Sequence, residues 1–227
     1  MFCKIWNAIT GKRHRRVRLV PSSDALPGLW RDAGESVPQA NLRALSGAPT
    51  EVLMELCDDY WNSYLDDGDH SSVVRDSRIC QSALEELASR GPEVIAWARA
   101  RLRHAGYDAR GDAARLFGKL CTRHIHGCDL DACVADLSRL AVRPWEEDTK
   151  ETEANTAALT ALASIRSPRA IPALRQILTS PEWQDDELPW EAAEVLGEIV
   201  GVSFEESEDP VEAAREWLRN SRGTDAA

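Results

Sequence analysis

Two kinds of metal-ligating side chain are concentrated in one short stretch of this 227-residue chain. Cysteine thiolates and histidine imidazoles are natural zinc ligands, and a cysteine next to a histidine can also act as a nucleophile. The stretch contains three cysteines and two histidines within 13 residues, namely Cys121, His124, His126, Cys128 and Cys133. Metal binding and nucleophilic catalysis are therefore the two kinds of chemistry that it suggests.

The spacing of these residues argues against both kinds of chemistry. The stretch contains no Cys-x2-Cys pair and matches no common structural-zinc pattern. Cys121 and Cys133 also fall on predicted apolar helix stripes, where a free cysteine packs as a small hydrophobic side chain. We therefore expect ordinary packing with loop histidines, and we predict no catalytic residue, no metal and no cofactor.

An acidic segment is the second candidate for function. Between Pro181 and Asp209 the chain has eleven Asp or Glu and no Lys or Arg. No cation-loop pattern or positioned histidine accompanies these carboxylates, so the two readings are a solvated helix face and a binding surface for a basic protein. A loop tryptophan beside them is either a binding hot spot or a cap on the core. The candidate binding residues are Trp183, Asp185, Asp186, Glu187, Glu191, Glu194 and Glu198.

The N-terminal arm has the opposite charge. The net charge is −11, but residues 1–20 carry six Lys or Arg and no acid, so residues 21–227 carry −17. A short apolar helical face followed by basic residues suits an anionic membrane surface or nucleic acid, or else a tail that associates with the acidic body. Because the body repels nucleic acid, we expect a protein partner that is basic and no nucleic-acid partner.

Composition and the order of residues at the N-terminus indicate a cytoplasmic protein. The basic residues follow the first apolar stretch, whereas a secretory signal places them before it. No apolar run reaches the 18 residues of a membrane span. The six cysteines are too dilute for a disulfide scaffold, so we expect them to be reduced.

Hydrophobic periodicity predicts helices from Pro49 onward. Pro and Gly make regular structure unexpected over residues 21–47. We therefore predict a basic arm with an irregular segment over residues 1–47 and a helical domain over residues 48–227. The domain is expected to be all-α, with about ten helices and a C-terminal capping helix that opens at Pro210. Asp108 and Asp129 are expected N-caps, and Gly201 an expected helix end.

Two stretches about 76 residues apart repeat one pattern, and it predicts stacked helical units. Each contains an Ala-Leu-x-x-Leu-Ala-Ser helix end, a Pro-started helix and a block like Ala-Ala-x-x-Leu-Gly-x-Ile, over residues 83–120 and 158–199. The pattern resembles HEAT repeats of the short bacterial type named after phycobilisome lyases. The resemblance implies an α-solenoid in which Ala113, Ala114, Ala192 and Ala193 are buried, and Gly118 and Gly197 allow close helix packing.

The resemblance and the charge together predict a non-enzymatic module that binds a basic protein. Such a protein is either a scaffold or adaptor, or an inhibitor or immunity protein for a basic toxin or nuclease. Two other classes compete with it: an accessory or lyase-type protein that acts on a chromophore or modified protein, and a DNA-repair solenoid. The second of these needs a basic groove, which the acidic body does not offer. No oligomeric state follows from the sequence.

Overall fold

The computed structural model describes residues 45–66, 70–104, 106–124, 126, 128–144, 152–183 and 187–221. The expected basic arm and most of the expected irregular segment lie outside these residues. The expected boundary at residue 47 therefore stays a prediction.

The described part of the chain is helical and contains no strand. This confirms the all-α prediction, with nine α-helices in the described residues where about ten were expected. Two short 3₁₀ turns, Pro168–Ala170 and Pro181–Trp183, precede the seventh and eighth helices. The helices are α1 Thr50–Asp66, α2 His70–Arg90, α3 Glu93–Arg101, α4 Tyr107–Arg123, α5 Leu130–Ala141, α6 Thr152–Ile165, α7 Ile171–Thr179, α8 Leu188–Val200 and α9 Pro210–Ser221.

The chain divides into two compact units, Met1–Leu87 and Ala88–Ala227. In the first unit, the apolar stripe of α1 is buried as its spacing predicts, with Leu53 and Trp61 almost fully removed from solvent. The Cys57 thiol donates a weak hydrogen bond to the Cys80 carbonyl, with 3.9 Å between sulfur and oxygen. This pair of cysteines is therefore part of the packing of the first unit.

In the second unit, helix α6 packs against α4, α5 and α8. The α4–α6 approach depends on Gly118, because a Cβ atom there would lie 2.6 Å from the Ala161 Cβ. The alanines of the repeated blocks are buried as predicted: Ala113, Ala114, Ala192 and Ala193 are all 0% exposed. At Gly197 the close neighbour is the returning chain, since a Cβ would lie 2.5 Å from the Val202 carbonyl oxygen.

Local capping agrees with the sequence at two of the three predicted positions. The Asp129 carboxylate accepts a hydrogen bond from the Ala132 N–H at 3.1 Å and caps α5. Gly201 ends α8 in the left-handed conformation with φ 73°, which favours glycine. The predicted cap at Asp108 is wrong, because α4 begins one residue earlier and Asp108 lies inside its first turn.

Two tryptophans are placed differently from the sequence-based expectation. Trp190 lies on an apolar helical stripe of the sequence, which predicts a core position, but it is 47% exposed although the preceding Leu188 and Pro189 are buried. Trp183 was placed in a loop; it belongs to a 3₁₀ turn and is only 2% exposed.

In the part of the chain that the structure describes, no helix is both long enough and apolar enough to cross a membrane.

Candidate functional site

A pocket of about 560 Å³ lies within the second unit, beside α3 and the start of α5. Its size is within the range typical of small-molecule sites. One wall is apolar and comes mainly from α3, while the rim carries two arginines. The opposite side is formed by the residues that lead into α5. The lining residues are Pro92, Ile95, Ala96, Arg99, Ala100, Arg103, Cys128, Asp129 and Cys133.

Three of the cysteines predicted from the sequence meet beside this pocket. The sulfur atoms of Cys121, Cys128 and Cys133 all lie within 4.8 Å of one another, and we call this group the thiol cluster. Cys121 is near the end of α4, Cys128 follows that helix, and Cys133 is in the first turn of α5. Two of the thiols are buried and Cys128 is half-buried, so the cluster reaches the pocket through Cys128 and Cys133.

The surroundings of the thiol cluster favour negative charge on Cys133. Its pKa is lowered to about 7, first because the Cys121 thiol donates a hydrogen bond to it, and further by the Cys128 thiol and the positive charge of Arg99. The pKa of Cys121 is raised, because it is the donor in that hydrogen bond and is also buried. Burial raises the pKa of Cys128 as well. The thiolate that forms most readily therefore lies on the pocket wall.

A buried carboxylate organises the arginines at the pocket rim. The side chain of Asp136 on α5 is only 4% exposed and forms ion pairs with Arg99, Arg139 and, at 3.7 Å, Arg103. Three guanidinium groups around one carboxylate leave a positive surplus near the pocket. Sequence reasoning missed this network, although Asp136 lies three residues after Cys133 and therefore shares its helix face.

The two histidines of the cysteine-rich stretch do not join the thiol cluster. His124 ends α4, where its N–H bonds to the Leu120 carbonyl at 2.8 Å. His126 is exposed. The residue spacing alone does not reveal that these two imidazoles lie outside the cluster.

The acidic candidates are only partly within the described residues. Asp185 and Asp186 lie outside them, and Trp183 is buried in the core. We call Glu187, Glu191, Glu194 and Glu198 the acidic face; Glu191 is half-buried and the other three are exposed. The Glu198 carboxylate forms an ion pair with Arg166, so part of its charge is compensated within the chain. No finding tests the expected basic partner, which stays a prediction.

The pocket lining combines an apolar wall, two arginines, two cysteine thiols and one acidic residue, Asp129. Ile95, Ala96 and Ala100 form the apolar wall on one side of α3, and Arg99 and Arg103 stand beside it. Such a lining suits a ligand with an apolar chain and a polar or anionic group at one end.

The model of the family described as Nodulation protein A (NodA) matches residues 54–183, which include the pocket and the thiol cluster. No curated protein and no solved structure matches the chain.

This match corrects several sequence-based predictions. The assignment to HEAT repeats is wrong, and its physical reason is that alanine and glycine blocks report close helix packing, which many helical proteins share. The adaptor, scaffold and immunity roles are wrong, and the lyase and DNA-repair alternatives do not match either. The prediction of a non-enzymatic protein is wrong too, because NodA is a family of N-acyltransferases. Residues 54–183 are more than half of the 227 residues, and the chain therefore belongs to the NodA family.

Proposed function

We propose that this protein is an N-acyltransferase, which moves an acyl chain from an activated donor to the amino group of an acceptor. The observation that carries the proposal is the NodA family match over residues 54–183. In that family the transferred group is the lipid chain of a Nod factor. For this chain we propose the reaction class, with a long acyl chain and a primary amine as the two reacting parts.

The pocket beside α3 is the proposed substrate site. An acyl chain would lie along Ile95, Ala96 and Ala100, where each methylene that becomes fully buried contributes about 0.8 kcal/mol. The polar end of the donor would lie at the rim, near Arg103, whose side chain is 76% exposed. Arg99 is held by Asp136 and therefore points in a fixed direction, which favours orientation of a bound anion.

The proposed reaction forms one bond and breaks one bond at the acyl carbonyl carbon. The unprotonated amine nitrogen attacks this carbon, the bond to the leaving group breaks, and the nitrogen proton passes to the leaving group or solvent. Negative charge develops on the carbonyl oxygen in the transition state. Arg99, which Asp136 holds in place, would stabilise that charge more than it stabilises the neutral ground state.

We also propose that the helices of the second unit stack as a short α-solenoid. The pairs would be α3–α4, α5–α6 and α7–α8, and α9 would cap the last pair. The proposal is supported by contacts within each pair and by the row in which α6 packs between α4 and α8. In such a stack, the pocket belongs to the first two pairs.

The test of the proposed function is an acyl-transfer assay on the full chain. Purified protein is incubated with a long-chain acyl thioester and a panel of primary amines, and amide products are identified by mass spectrometry. We expect an enzyme-dependent amide, with chain-length preference set by the apolar wall. No enzyme-dependent amide from any donor and acceptor pair would contradict the proposal.

Two variants test the location of the site. Ala96→Trp fills the apolar wall and should lower kcat/KM at least tenfold, or about 1.4 kcal/mol of transition-state binding. Its control is Ser164→Trp, which adds the same bulk at an exposed position of α6. Arg103→Ala removes an exposed rim charge, and the exposed Lys119→Ala is its control. If the variants and their controls lose activity equally, this pocket is excluded as the substrate site.

A further inference from the structure

We propose that Cys121, Cys128 and Cys133 bind one thiophilic divalent ion of the zinc class, with the fourth coordination position facing the pocket. The proposal goes beyond acyl transfer and does not depend on it. It also reverses our expectation from the sequence spacing, because that spacing does not report how closely the three sulfurs approach.

The positions of the sulfur atoms carry the proposal. Tetrahedral zinc with Zn–S bonds of about 2.3 Å holds its sulfur ligands about 3.8 Å apart. The three sulfurs of the thiol cluster all lie within 4.8 Å of one another. A contraction of at most about 1 Å would therefore complete three corners of the tetrahedron.

The elements that supply the sulfurs are held by independent contacts. Cys121 is on α4, whose position is set by the close approach of Gly118 to Ala161 on α6. Cys133 is in the first turn of α5, which is capped by Asp129. Only Cys128 lies outside a helix, so helix packing constrains its position less than the positions of the other two sulfurs.

Ligand type and charge favour a soft cation. Sulfur ligands select zinc, copper(I) or iron–sulfur chemistry over magnesium and calcium, which prefer oxygen. Three thiolates and a divalent ion carry a net charge of −1. The surplus of guanidinium groups around Asp136, which includes Arg99 near Cys133, would offset this charge.

The fourth position distinguishes this site from a closed structural site. Among the described residues, the cluster contains three ligand atoms and no fourth Cys, His, Asp or Glu. Cys128 and Cys133 both line the pocket, so a water molecule or another small ligand could reach the free corner from that side. Three protein ligands with an open position are typical of zinc sites that bind water or substrate.

The test is titration of the full, reduced, metal-free chain with Co²⁺, followed by competition with Zn²⁺. We expect one Co²⁺ per chain, with thiolate-to-cobalt charge-transfer absorption and the intense visible bands of tetrahedral cobalt. Zn²⁺ should displace it with the same stoichiometry. Because no acyl donor is present, failure of metal binding and failure of acyl transfer are distinguishable.

Cys128→Ala is the main variant, because its side chain is half-buried and lies outside the helices. Loss of an inner ligand should weaken Co²⁺ binding more than the 10–100-fold typical of outer-shell partners, so at least about 100-fold. Cys121→Ser and Cys133→Ser should do the same if circular dichroism shows that they fold. Cys57→Ser is the control, since this buried thiol lies outside the cluster.

Three results would overturn the proposal. They are the absence of charge-transfer absorption, Co²⁺ binding that Cys128→Ala leaves unchanged, and an equal loss of binding in Cys57→Ser.

Discussion

The thiol cluster and the acidic face are both conspicuous in the sequence, but they differ in how the fold arranges them. The thiol cluster collects side chains from the end of α4, the following segment and the start of α5 into one place beside a pocket. The acidic face stays on a single helix and its entry, largely exposed, and Arg166 compensates Glu198. Side chains that are brought together from separate elements form a site, whereas acidic side chains repeated along one helix mark the side of that helix that faces solvent.

The largest expected effect separates the two sides of α8. Ala193 is 0% exposed, so Ala193→Glu would bury an unpaired charge and should lower the free energy of unfolding by about 3–5 kcal/mol. The adjacent residue Glu194 is exposed, and Glu194→Lys should change it by less than about 0.5 kcal/mol. Urea denaturation measures both. An equally large loss of unfolding free energy in the two variants would show that the acidic face is part of the packing.

A smaller effect concerns the position of α4, which carries Cys121. Gly118→Ala places a Cβ 2.6 Å from the Ala161 Cβ and should lower the free energy of unfolding by about 1–3 kcal/mol, despite the higher helix propensity of alanine. Gly47→Ala is the matched control, because nothing lies within 4 Å of its added Cβ. If Gly118→Ala is neutral in thermal unfolding, the α4–α6 contact does not position the thiol cluster.

The predicted basic partner would make the acidic face a site after all. Glu187→Lys with Glu194→Lys should slow association with a polylysine probe severalfold at about 0.01 M salt, where charges act over about 30 Å. The difference should vanish near 1 M salt, where that length is about 3 Å. The control with an equal charge change is Glu51→Lys with Glu85→Lys, both exposed. If both double variants slow association equally in stopped-flow measurements, the effect comes from net charge and not from the acidic face.

The smallest effect is a change of stability with pH. It concerns a half-buried acid on α4, in contrast to the exposed acids of α8. The pKa of Asp108 is raised above 3.8, chiefly by burial and then by the negative charges of Glu153 and Asp112. Its proton therefore binds more tightly in the folded state, so its contribution to stability is complete below pH 3.8 and falls as pH rises through the folded pKa.

Asp108→Asn should remove this loss of stability. The gap in unfolding free energy between Asp108→Asn and the unmodified protein is expected to shift in favour of the variant as pH rises. Denaturant curves at several pH values measure the gap. A gap that is constant with pH would contradict the raised pKa.

Helices and buried stripes could be predicted because their signals are local. The apolar spacing of α1, the cap at Asp129 and the left-handed end at Gly201 each depend on residues within one or two turns. The buried alanines followed from the repeated blocks. The family did not follow from those blocks, because small residues at helix crossings report distance between helices and not chemistry.

The candidate site could be predicted only as a list of residues. The sequence drew attention to Cys121, Cys128 and Cys133, but it also included two histidines that the fold leaves outside the cluster. It did not reveal Asp136 or the arginines around it, because Arg99 and Asp136 are 37 residues apart and meet only across α3 and α5. Asn155, which donates to the Ala141 carbonyl at 2.9 Å and secures the end of α5, was missed for the same reason.

The sequence by itself determined that the described part is helical, where most helices begin and end, and which faces are apolar. Those properties arise from backbone capping and from the 3.6-residue period, which act over a few residues. Only the tertiary structure decided that three thiols lie together with two of them on a pocket wall, that Trp183 is buried and Trp190 exposed, and that Gly118 meets Ala161. Distances between side chains on different helices depend on how the whole core packs, and no local pattern encodes them.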